Sequence, residues 1–176
     1  MKRDPALQPL SHDHHQALFI AQRLRRADEE NVAEVAGAFL EFWREHGQRH
    51  FRDEEEILLP AYAEYGDVTD PLIARVLTDH VIIRNRAQRL ASALGEATDG
   101  AAAGASASAS ATAADAADPA ALQELGELLA DHVRREEREL FPQIEQALPE
   151  DAIAKLGETF TSSEEARSRS GIDAST

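Results

Sequence analysis

The stretch HFRDEEEILLP, from His50 to Pro60, returns later in the chain as HVRREERELFP, from His132 to Pro142. Aligned without gaps, the copies share His50/His132, Arg52/Arg134, Glu54/Glu136, Glu55/Glu137, Leu58/Leu140 and Pro60/Pro142. An upstream pair repeats too. DHHQALFIAQRL, from Asp13, returns as DHVIIRNRAQRL, from Asp79, with Asp13/Asp79, His14/His80 and the Ala-Gln-Arg-Leu run in register. The chain is one hairpin written twice, and each copy must bury its apolar face against the other.

Within each copy a His precedes a Glu by four residues: His50 and Glu54, then His132 and Glu136. On an α-helix such residues share a face, roughly 6 Å apart. With His14 and His80 the donor set becomes four His and two Glu. A single His on an apolar stripe is ordinarily a core residue. Four in register across a duplication, each copy with a Glu one turn on, make two halves of one metal site. Six donors exceed the needs of one four-coordinate zinc, but suit two six-coordinate ions with bridging carboxylates. Imidazole with carboxylate favours iron, then manganese, with zinc as a further occupant. A buried Glu is costly unless paired or bound to metal. Two divalent ions would remove that cost.

Helix formers dominate the 176 residues and β-branched residues are sparse, so the expected class is all-α. Apolar residues at helical spacing predict a first helix from a Ser11 cap to about Ala27, and a second from Asn31. Pro60 should kink or end that second helix. Asp70-Pro71 and Asp118-Pro119 read as starts of a third and a fourth helix. Residues 95–118, almost all Ala, Ser, Gly, Thr and Asp, read as a mobile loop. Pro149 to Phe160 reads as a short fifth helix, and 161–176 as a disordered tail. The expected architecture is an antiparallel up-down-up-down four-helix bundle over 1–160 with a short C-terminal helix.

A formal charge of −15 argues against nucleic acid or an anionic membrane as partner. Without cysteine there is no disulfide, thiolate catalysis or iron–sulfur ligation. The sequence has no apolar run near the ~20 residues of a membrane span, nor a signal-peptide core, so the expected location is the cytoplasm. His46 lies one turn before His50 on the same face and stands opposite Leu128, either packing or supporting the site. His15, opposite Val81, reads as flanking and His12 as a surface residue. Glu55, Glu56, Glu137 and Arg138 read as a solvated face, and Trp43 with the phenylalanines as core.

The order His14, His50-x-x-x-Glu54, His80, His132-x-x-x-Glu136, with its Asp-His openings and Glu-Glu-x-x-Leu-[Leu/Phe]-Pro continuations, resembles the hemerythrin-like HHE cation-binding family, stand-alone bacterial type. The resemblance spans about Leu10 to Leu148. It implies a bundle around an oxo- or hydroxo-bridged di-iron centre, with His14, His50, His80 and His132 as nitrogen ligands and Glu54 and Glu136 as bridges. Oxygen-carrying members have another His one turn before the third-helix ligand. Val76 stands there in this chain, which points away from reversible oxygen transport. The members that repair iron–sulfur centres carry a cysteine-bearing domain, and this chain lacks cysteine. The implied function is binding of, or reaction with, oxygen, nitric oxide or peroxide, including a peroxide- or nitric-oxide-consuming oxidoreductase. An iron or oxygen sensor without turnover is the alternative; iron storage ranks last, since one bundle has no cage.

Overall fold

The computed structural model describes residues 3–95 and 118–173 of the chain. The expected mobile loop falls almost wholly outside them. All regular structure among the described residues is helical. Helix α1 is Gln8–Leu24, α2 covers 32–63, α3 is Pro71–Ala93, α4 covers 119–147 and α5 is Glu150–Asp173.

Side-chain pairings fix the directions. His14 on α1 meets Glu136 on α4, while Ala21 and Leu24 approach Gly126 ten residues earlier on α4. Arg49 on α2 reaches Asp13 and Arg23 reaches Glu34, so α1 and α2 are also antiparallel. On α3, His80 and Arg84 reach Glu55 on α2, whereas Arg86 reaches Glu124 on α4. This is the expected up-down-up-down four-helix bundle.

Three helices begin alike. Asp4, Asp70 and Asp118 each accept a bond from the backbone N–H two residues on, with proline between. The proline's missing N–H costs nothing at that position. The start of the chain is therefore capped at Asp4 rather than Ser11: a short 3-10 turn, Pro5–Leu7, leads straight into α1.

Pro60 does not end α2, which continues to Ala63, and Pro142 lies within α4. A proline ring clashes with the carbonyl four residues before it. Each proline follows one widened turn, Glu54–Leu58 or Glu136–Leu140. There the N–H of Leu59 bonds the carbonyl of Glu54, and that of Phe141 the carbonyl of Glu136. Such i→i−5 turns let a helix pass a local obstruction. Both copies carry this widening, and in both it begins at the inward Glu. A third widened turn, Trp43–Gly47, has no proline; a Cβ on Gly47 would lie 2.5 Å from the Trp43 ring.

Helix α5 is longer than the expected short helix. Ile153, Leu156 and Phe160 bury against the bundle, and Arg167 forks onto Asp53 at 2.8 and 3.1 Å. That anchor carries helix into the segment read as a disordered tail. No described helix is long and apolar enough to cross a membrane.

The core has two apolar clusters. One gathers Leu24, Phe39, Trp43, Ile83, Leu90 and Leu125; the other gathers Leu10, Leu58, Tyr62, Val76, Leu140 and Ile144. Along every helix of the bundle the inward His or Glu residues fall between the two. Of the phenylalanines, only Phe19 contradicts its assignment to the core; it is 61% exposed.

Candidate metal centre

That intervening layer contains His14, His50, Glu54, His80, His132 and Glu136, all buried. One donor atom from each of His14, His50, Glu54 and Glu136 lies within 4.8 Å of the others, and the same is true of Glu54, His80, His132 and Glu136. The two groups share both glutamates. The separations are those of donors facing a common centre. His14 Nε2 lies 3.1 Å from Glu136 and His50 Nε2 3.4 Å from Glu54. On the other side His80 Nε2 lies 3.2 Å from Glu54, and His132 Nε2 3.2 Å from Glu136. His14 Nε2 and His50 Nε2 are 2.9 Å apart.

The donor set can be tested by its hydrogen bonds. Both carboxylate oxygens of Glu54 and of Glu136, with Nε2 of His80 and of His132, are buried without a hydrogen-bond partner. Buried polar groups are nearly always satisfied, and an isolated carboxylate in an apolar core is expensive. Six unsatisfied atoms aimed at one another fit a cation between them. The buried His/Glu groups could hold a metal.

Each imidazole turns its other nitrogen outward onto a carboxylate. His14 Nδ1 is 2.7 Å from Glu137 and His80 Nδ1 is 2.8 Å from Glu55. His50 Nδ1 stands 3.6 Å from Asp13, and His132 Nδ1 3.9 Å from Asp79. An Nδ1–H donated outward, as at His14 and His80, leaves the Nε2 lone pair facing the centre and stiffens the ring. Nδ1 of His50 and of His132 has its carboxylate nearby without a hydrogen bond. Every one of these carboxylates meets an arginine: Arg3 on Glu137, Arg84 on Glu55, Arg49 on Asp13 and Arg135 on Asp79. Glu55 and Glu137 therefore do not belong to the solvated face where the sequence reading put them; Glu56 and Arg138 are exposed as expected. The signal was present, since Glu55/Glu137 and Asp13/Asp79 are identical in the two copies.

Charge inside the layer is uneven. Burial opposes protonation of His50 and His80, but Glu54 with Asp13 outweighs it at His50, raising it to about 10. Glu136, Glu54 and Glu55 raise His80 to about 11. His14 is raised in the same way by Glu136 and Glu137. His132 goes the other way, held down to about 4 by burial and by the charge of His80. Glu136, despite burial and the repulsion of Glu54, is lowered to about 2 by His132, His14 and His80. The layer thus favours ionised carboxylates, and protons occupy positions that a cation would take.

The remaining histidines stay outside both groups. His46 is half-buried, 6.0 Å from Phe42 in a stacked pair, with Nε2 3.8 Å from Glu45. His15 and His12 are exposed. Val76 is fully buried in the apolar cluster and offers no donor. Beside His14, His50 and His132 lies a small chamber of about 20 Å3, lined also by Ala17, Trp43, His46, Gly47, Phe51 and Leu129.

Antiparallel helices around a buried His/carboxylate layer, built from a duplicated hairpin, define a metal-binding helical bundle. The chain belongs to the hemerythrin HHE cation-binding domain family, whose model matches residues 7–144. No curated protein and no solved structure matches the chain significantly.

Proposed function

We propose that this is a non-haem di-iron protein that binds or reacts with oxygen, nitric oxide or peroxide. The observation that carries the reading is the pair of donor groups sharing Glu54 and Glu136. Each group supplies two imidazoles and two carboxylates, a nitrogen–oxygen set suited to iron rather than to closed structural zinc. Four protein donors per ion leave positions for solvent-derived ligands and one exogenous molecule. Bound iron would supply redox cycling between ferrous and ferric states.

The chain's own residues do the rest. His14, His50, His80 and His132 would hold the ions, with Glu137 and Glu55 fixing the rings of His14 and His80. Glu54 and Glu136 would bridge, and the widened turn that starts at each of them gives the backbone there a non-standard pitch. The apolar chamber against His14 and His50 would receive a small ligand and limit water. The test is metal quantitation with optical spectra of protein reduced anaerobically and then exposed to air, followed by peroxide and nitric oxide consumption assays. Two irons per chain with a bridged diferric spectrum support the reading; a preparation that retains only silent zinc under iron supply counts against it. Iron without turnover favours the sensor alternative.

A further inference from the structure

We infer that Arg3, in a lead-in that precedes the family-matched segment, is a positioning residue for the cation held by His14 and His50. The inference rests on the two-cation reading above. Arg3 Nη2 donates to both the carbonyl and the carboxylate of Glu137, each at 2.8 Å, and Nη1 lies 3.0 Å from Glu145. The Asp4 N–H also donates to Glu145 at 2.7 Å, pinning the lead-in to α4 at a second point. Glu137 in turn holds His14 Nδ1 at 2.7 Å. The guanidinium lies 5.0 Å over the ring of Phe141, which also stacks on His14 at 5.3 Å with an interplanar angle of 15°. One side chain thus constrains His14 through its proton partner and through its ring face.

The second half has a counterpart that shows what the motif requires. Arg84 meets Glu55 at 3.0 and 3.1 Å, Glu55 holds His80 Nδ1, and Arg84 lies 5.8 Å over Phe51, which stacks on His80 at 3.8 Å. Arginine, glutamate, phenylalanine and histidine recur around each ring, yet the pattern is not inherited wholly from the duplication. Phe51 stands opposite Val133 and Phe141 opposite Leu59, while Arg3 lies before the first copy. The same support has been assembled from different positions, as expected if the support itself matters. Arg3 has the stronger grip, because its side chain is 17% exposed against 45% for Arg84. A desolvated guanidinium orients a carboxylate more firmly than an exposed one.

The test uses the full chain and zinc alone, titrated against a chromophoric chelator, with cobalt(II) visible spectra reporting each ion's geometry. Arg3→Gln should weaken one of two ions by about tenfold or more and leave the other near wild type, the usual scale for loss of an outer partner. Arg84→Gln should weaken the other ion by less. Arg3→Lys keeps charge without the fork and should fall between Arg3→Gln and wild type. Unchanged affinities in Arg3→Gln overturn the inference. So does equal weakening of both ions with a fall in melting temperature, which is the mark of a merely structural contact. A wild-type chain that binds one zinc refutes the two-cation reading, while the effect of Arg3→Gln on that ion still decides this inference.

Discussion

The two halves of the metal layer descend from one hairpin and have diverged unequally. What they share is the donor geometry: a His from the Asp-His opening, a His-x-x-x-Glu, an outward Glu on one imidazole and an outward Asp on the other. What differs is the packing around it. Where the first half has Ala17, Trp43 and Gly47, the second has Ile83, Leu125 and Leu129 at the equivalent positions. Ala17, Trp43 and Gly47 all line the chamber beside His14 and His50, whereas of their counterparts only Leu129 reaches it. Duplication supplied a symmetric grip, and divergence then placed the smaller residues around it on the first half's side.

The largest expected effect breaks the shared element. Glu136→Ala removes a carboxylate common to both groups and should leave purified protein with almost no bound metal. His132→Ala removes a donor from the second group alone and should lose about one of roughly two ions. His12→Ala, an exposed residue, should lose none. Metal analysis of the three variants checks the order; equal metal in His132→Ala and His12→Ala would refute the ligand set.

Protonation next separates His132 from the other three imidazoles. In the metal-free chain His14, His50 and His80 have raised pKa values, so their contribution to stability is complete below 6.5 and is lost as pH rises through about 10 and 11. His132 is lowered to about 4, and its contribution is lost as pH falls from 6.5 through that value. Glu136 and Glu137, lowered to about 2, lose theirs as pH drops below 4.5. Metal-free protein should therefore be most stable near pH 6.5. Zinc-loaded protein, whose imidazoles need no proton, should keep its stability as pH rises to 9. Urea midpoints across pH check this; parallel curves for the two forms would contradict it.

The grip was legible in the sequence because it is local: four-residue spacing, a duplication and Asp-Pro caps all lie within single segments. The support around it was not. Glu55 and Glu137 follow the inward Glu by one position, which on a single helix points them off the buried face. Their partners His80 and His14 come from neighbouring helices, so periodicity could not pair them. Arg3 and Phe141 act across more than a hundred residues of sequence. Pro60 looked like a stop because the widened turn that accommodates it has no residue signature. The length of α5 depends on Arg167 finding Asp53, a tertiary contact that overrides a polar, weakly amphipathic stretch.

A smaller change tests whether the chamber matters. Ala17→Ile transplants the second half's residue into the first and should close the space while leaving metal content intact. Nitric oxide affinity of the iron-loaded protein should fall by about tenfold, the scale of one or two methylenes in an apolar pocket. Trp43 is the only tryptophan and forms one wall, so quenching of its fluorescence by dissolved xenon should fall in parallel. Unaltered ligand binding with suppressed quenching would show a chamber that no ligand uses.

The smallest effects compare two glycines of the scaffold. A Cβ at Gly126 would meet the Ala21 carbonyl oxygen at 2.7 Å and Leu24 at 2.8 Å, so α1 and α4 must separate to admit it. Gly126→Ala should destabilise by about 1–3 kcal/mol through overpacking. A Cβ at Gly37, on α2, meets nothing within 4 Å. Gly37→Ala should stabilise by about 0.5–1 kcal/mol, because a helix-interior glycine loses more chain entropy on folding. Urea denaturation of both variants reads the pair. Opposite signs would confirm that close approach is needed where α1 meets α4, the contact that sets His14 against Glu136; a shared sign would place the constraint elsewhere.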